Sequence, residues 1–171
     1  PYRRAYTVFW RDERVMQLPP LGKLMAAYLM WGPQTNRIGL YFFSTHTCQA
    51  DVGIPIAQTK KLFTATYQHM NWEWDLTIRT LYIPAWWKWN EPYGPKQFIG
   101  CLKDMYTIPK CALLVKFLKN EQYFTKAIFK SQLRNVSETY LKGMPFQEQE
   151  QEQEQEQKIT PLPPSDEGGR R

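Results

Sequence analysis

Long apolar runs, paired cysteines and clustered histidines are all missing from this sequence, and each absence removes a class of function. No stretch of 18 or more apolar residues occurs, so no transmembrane helix is expected. The opening P-Y-R-R-A-Y-T lacks the apolar segment of a secretory signal, and a cytoplasmic location is the expectation. Cys48, Cys101 and Cys111 are odd in number and have no C-x-x-C spacing, which argues against a disulfide framework and against a zinc site. They read as core thiols. His46 and His69 lack the i, i+4 or Cys-paired spacing of a ligand set, so neither a metal nor another cofactor is expected. The strings G-x-x-x-x-G-K-[ST], G-x-S-x-G, H-E-x-x-H and H-x-E with P-C-x-x-C are absent too. With them go the recognisable routes to phosphoryl, acyl and metal chemistry, and a role without catalysis is expected.

What the chain does hold is a core and a strong charge asymmetry. At 171 residues and 43% hydrophobic content it can build one ordinary domain with appendages. From Gln147 the sequence runs Q-E-Q-E-Q-E-Q-E-Q-E-Q and then K-I-T-P-L-P-P-S-D-E-G-G-R-R, low in complexity and without helical apolar periodicity. That composition predicts a disordered tail over residues 147–171. The tail holds 7 of the 16 acidic and 3 of the 22 basic residues, so residues 1–146 carry 19 basic against 9 acidic side chains, a net of +10. Such an excess suits a polyanion partner, nucleic acid first among them.

The apolar pattern predicts an ordered series of elements. L-P-P-L-G-K-L-M-A-A-Y-L-M-W, Leu18 to Trp31, reads as a helix opened by Pro19 or Pro20 and closed by Gly32-Pro33. With Leu21, Leu24, Met25, Tyr28, Leu29 and Met30 it is apolar nearly all round, the pattern of a central helix. I-G-L-Y-F-F follows as a short β-prone run whose Gly39 marks close backbone approach or a bulge. Ser44 offers an N-cap for a two-turn helix ending at Gly53. Pro55 to Met70 is a second helix, with Ile56, Leu62, Phe63, Tyr67 and Met70 on its buried side. N-W-E-W-D-L-T-I-R-T-L-Y-I-P then alternates around a turn near Asp75 to Ile78 and reads as a hairpin ended by Pro84. Helix, strand, helix, tight turn, helix, hairpin is the winged-helix order. The expected fold class is therefore α+β and helix-rich, with a winged helix-turn-helix over residues 6–90, a helical extension over residues 91–140 and the tail.

In that scheme the second helix of the pair would be the reader. Gln58, Lys60, Lys61, Thr64, Ala65 and Gln68 fall opposite its apolar side, a short, polar, basic stripe. Gln can pair bidentately with adenine, and Lys can reach guanine or phosphate. Against this stands an ordinary solvated face. Arg79, near the hairpin tip, could enter a minor groove or hold a phosphate, or simply solubilise the turn. Arg37 is a candidate phosphate contact, as are Lys126 and Lys130. If residues 109–134 formed one continuous helix, Lys116, Lys119, Lys126, Lys130 and Arg134 would fall within an arc of about 80°. W-W-K-W-N, Trp86 to Asn90, could stack unpaired bases, but three tryptophans after a hairpin more often seal a core. Glu73 and Asp75 share a strand face on an exposed hairpin, where solvent screens them rather than tuning them for catalysis. The stretch G-P-Q-T-N-R between first helix and first strand reads as scaffold.

The strings V-F-W-R-D-E-R-V, L-P-P-L-G-K-L-M-A-A-Y-L-M, G-P-Q-T-N-R-I-G-L-Y-F-F, A-D-V-G-I, W-E-W-D and Y-I-P-A-W-W-K-W-N, in that order over about residues 6–120, resemble the N-terminal winged-helix region of phage and prophage replication-initiation proteins. These are the replisome organisers related to DnaD-like primosomal proteins. Ala85 and Gln49 depart from the usual residues of that pattern. The resemblance implies duplex DNA binding during replication initiation in a bacterial cytoplasm, with a replicative helicase or helicase loader as a further partner. A transcriptional regulator on the same fold, and a protein-interaction module of the primosome, are the alternatives from other classes.

Overall fold

Two short N-terminal turns brace the first long helix. The computed structural model describes residues 5–142, and the repeat tail from Gln147 onward lies outside them. A 3-10 turn at Thr7–Arg11 leads into α1, Glu13–Gln17, whose first turn is capped where Asp12 accepts from the Arg14 N–H at 3.1 Å. Then follow α2 (Pro20–Trp31), β1 (Leu40–Phe42), α3 (Thr45–Val52), α4 (Ile56–His69), β2 (Glu73–Asp75) and β3 (Thr80–Tyr82). Beyond the hairpin come α5 (Trp86–Asn90), α6 (Pro95–Leu102), α7 (Ala112–Lys119) and α8 (Ala127–Lys142). The sheet is antiparallel with order β1-β3-β2, pairing Tyr41 and Trp74 each with Leu81. The described chain is thus a helix-rich α+β fold around a small three-stranded antiparallel sheet. No helix among the described residues is long and apolar enough to cross a membrane.

Local chemistry explains the boundaries. Ser44 Oγ accepts from Thr47 N–H at 3.2 Å at the start of α3, and Gly53 ends that helix at a φ of 70°, a left-handed conformation that costs a residue without Cβ nothing. Gly39 has a φ of 71°, and a Cβ there would run into Trp86. The close approach expected at this glycine is therefore an approach to an indole.

The stretch between α2 and β1 is held by its own side chains. Asn36 Oδ1 accepts from the Ile38 and Gly39 N–H groups at 3.1 and 3.0 Å. Gln34 Oε1 accepts from Ser44 N–H at 2.7 Å while its Nε2 donates to Ser44 O and to Tyr28 Oη. Every polar group named here faces the protein, as a scaffold loop requires.

Two aromatic clusters fill the core. Phe43 stacks on Phe63 at 4.6 Å and Phe63 meets Trp74 edge-on at 4.9 Å, so the residue just after β1 shares one seam with α4 and β2. Trp87 packs against Phe98 at 5.5 Å and Phe124 at 5.1 Å, joining α5 to the helices that follow. The described residues through Ser137 form one compact unit. Trp86 and Trp87 are both buried, so these two tryptophans of the W-W-K-W-N string belong to the core.

Three expectations need correction. Leu21 and Leu24 are 39% and 44% exposed, because α2 packs through Met25, Ala26, Leu29 and Met30 and leaves its other side to solvent. On α4, Thr59 and Thr66 are buried where only apolar residues were expected; Thr59 Oγ1 donates to Ile54 O at 3.0 Å, which satisfies it locally. Residues 109–134 are not one helix. Helix α7 stops at Lys119, and Asn120 Nδ2 donates to Tyr82 Oη at 2.6 Å and to Pro84 O at 2.9 Å, pinning the break to the end of the hairpin.

Candidate nucleic-acid interface

At 100° per residue, Thr59, Phe63 and Thr66 of α4 and Met70 just after it span an arc of about 60° on one side. Ala57, Lys61, Thr64 and Gln68 cluster within about 60° on the other, flanked by Lys60 and by Ala65 and Gln58. All seven of these are exposed and all four of the first set are buried. Ala57 near the middle of the exposed face was not singled out from the sequence, although the same wheel arithmetic finds it. Neither Lys60 nor Lys61 has an ion-pair partner among the described residues.

The helix is fixed from behind and at its C-terminal end. Phe63 supplies the aromatic anchor, Arg14 Nη1 donates to Met70 O at 3.0 Å, and His69 Nε2 lies 2.8 Å from Arg14 O. The hairpin beside it is shaped by Asp75, whose Oδ1 accepts from Thr77 N–H at 2.8 Å and Ile78 N–H at 3.2 Å. Arg79 has a φ of 49°, its carbonyl accepts from Phe43 N–H at 2.9 Å, and its side chain is exposed. Its backbone is therefore tied to β1 while its guanidinium stays outside. Leu76 at the tip is 77% exposed.

The other cations divide differently. Arg37 is spent on Asp104: its Nε donates at 3.0 Å, its Nη2 contacts the second carboxylate oxygen, and this bonding raises the guanidinium pKa. Its carbonyl accepts from Trp86 Nε1 at 2.9 Å, so Arg37 sits in a structural clamp. Lys116 pairs with Glu73 at 2.6 Å. Arg134 pairs with Glu121 at 2.5 Å, which lowers the Glu121 pKa. Lys126 Nζ donates to Tyr93 O at 3.2 Å and lies 5.2 Å from the Phe129 ring. Lys130, half-buried, lines a groove with Lys116, Lys119, Glu73 and Glu121. The structure therefore brings Gln58, Lys60, Lys61, Thr64 and Gln68 onto one surface, and leaves Arg37 in the loop before β1, Lys126 just before α8 and Lys130 in its first turn.

Among the described residues no group of three or more His, Cys, Asp or Glu side chains is arranged to hold a metal ion. Comparison with protein-family models, with curated proteins and with solved structures finds no match.

Proposed function

We propose that this chain binds duplex DNA as a winged helix-turn-helix, with α4 in the major groove and the β2–β3 hairpin as the wing, in the initiation of phage-type replication and without catalysis. The observation that carries this reading is the outward face of α4, where Gln58, Lys60, Lys61, Thr64 and Gln68 are exposed together on a helix anchored by Phe63. Side chains of these types read base edges and phosphates, while the net charge of the region draws the polyanion in. The order of elements supports the fold, and the resemblance of the motif strings supports the replication context, including a replicative helicase or helicase loader as partner. A bacterial cytoplasm is the matching location.

Selection of binding sites from random duplex DNA tests it directly. A defined site should emerge, and Gln58→Ala or Lys61→Ala should relax preference at particular positions by about 1 to 3 kcal/mol. Lys126→Ala combined with Lys130→Ala should instead weaken all sequences alike. A site overlapping a promoter rather than replication-gene DNA would turn the reading toward a regulator. Failure to bind any duplex at low salt would leave the interaction module.

A further inference from the structure

A cavity of about 420 Å³ lies beside α5 and includes no α4 residue, with Tyr6, Trp86, Trp89 and Tyr93 among its walls and Asn90 and Gln97 at its polar positions. Its size is within the range that takes a small organic ligand. The charged groups that line it are already partnered. The Arg37 guanidinium lies on Asp104, and the Glu91 carboxylate accepts from Thr125 N–H at 3.0 Å and Thr125 Oγ1 at 2.8 Å. A charged ligand would therefore have to compete with these existing pairs.

The neutral amides have capacity left. Gln97 Oε1 accepts from Tyr93 N–H at 2.8 Å, which leaves its Nε2 hydrogens to donate. Asn90 Nδ2 donates to Trp86 O at 3.2 Å, which leaves its Oδ1 to accept. A purely apolar occupant would strand both groups. A flat, neutral heterocycle carrying its own donor and acceptor would satisfy them and stack on the aromatic walls. We propose that this cavity holds a nucleobase, either of a free nucleoside or of an unpaired base in a single strand. The proposal does not depend on duplex reading by α4, because the two surfaces use different residues.

Calorimetric titration of the full chain with adenosine, with cytidine and with a single-stranded octanucleotide tests it. Saturable binding is expected; nucleoside binding marks a small-molecule site, and binding of the strand alone marks a splayed base. Tyr93→Ala, an exposed wall residue, should weaken binding by roughly fivefold or more, the low end of one base-stacking contact. Gln97→Glu keeps an acceptor for the Tyr93 N–H but deletes the Nε2 donor, and should change the preferred base. Gln58→Ala and Lys61→Ala should leave this binding untouched. No saturation at millimolar ligand, or indifference to both cavity variants, would overturn the proposal.

Discussion

Arg37 shows how a residue type misleads when its neighbours are unknown. An exposed arginine in a polar turn suits a phosphate, yet here the charge is held by Asp104, itself only 19% exposed. Arg37→Ala should cost about 1 kcal/mol of stability, discounted for the exposure of the guanidinium, and leave the salt dependence of DNA binding unchanged. Melting curves beside titrations at several salt concentrations check both. Thr66 offers the opposite sign. Its hydroxyl is buried without a hydrogen-bond partner, so Thr66→Val should raise stability by roughly 1 kcal/mol, and a fall would mean that the hydroxyl is satisfied after all. Cys48 is buried, and burial pushes its thiol up to about 11. Because the folded state holds that proton more tightly than the unfolded chain, the linked stability is intact below about pH 9 and is lost as the pH rises towards 11. Urea melts across that window should shift to lower midpoints in wild type and shift less in Cys48→Ala.

At the scale of elements, the hairpin turn carries strain at the residue proposed to meet DNA. Arg79 occupies the left-handed region, which glycine would adopt without penalty. Arg79→Gly should therefore hold or raise the melting temperature while weakening duplex binding. A variant that keeps full affinity would remove the hairpin tip from the interface. Gly39 is the reverse case: Gly39→Ala forces a Cβ into the Trp86 ring and a non-glycine residue into positive φ, and should cost on the order of 3 kcal/mol or more, read as a large drop in the denaturation midpoint.

For the molecule as a whole, the charge balance predicts a steep salt response. If phosphate contacts dominate, the apparent duplex constant should fall linearly on logarithmic axes, by roughly a hundredfold or more between about 50 and 200 mM salt. A flat response would sink the polyanion reading. Removing residues 147–171, with 7 acidic against 3 basic side chains, should tighten duplex binding modestly, because the net charge of the chain becomes more positive. Unchanged or weaker binding by the shortened chain would show that the segment's charge plays no such part.

The sequence by itself determined the elements with strong local signals. Pro20 opens α2, Ser44 and Gly53 bound α3, and the alternation around Asp75 makes the hairpin, because capping, turn chemistry and side-chain period act over a few residues. The polar stripe of α4 was legible for the same reason: helical geometry fixes which side chains share a face. Tertiary structure alone decided which charges are free. Arg37 meets Asp104 and Lys116 meets Glu73 across tens of residues of sequence, and no local pattern announces such pairs. The break between α7 and α8 is of the same kind, since Asn120 leaves the helix to bond Tyr82 and Pro84 on a distant hairpin, and long-range partners of that sort exist only once the chain has folded.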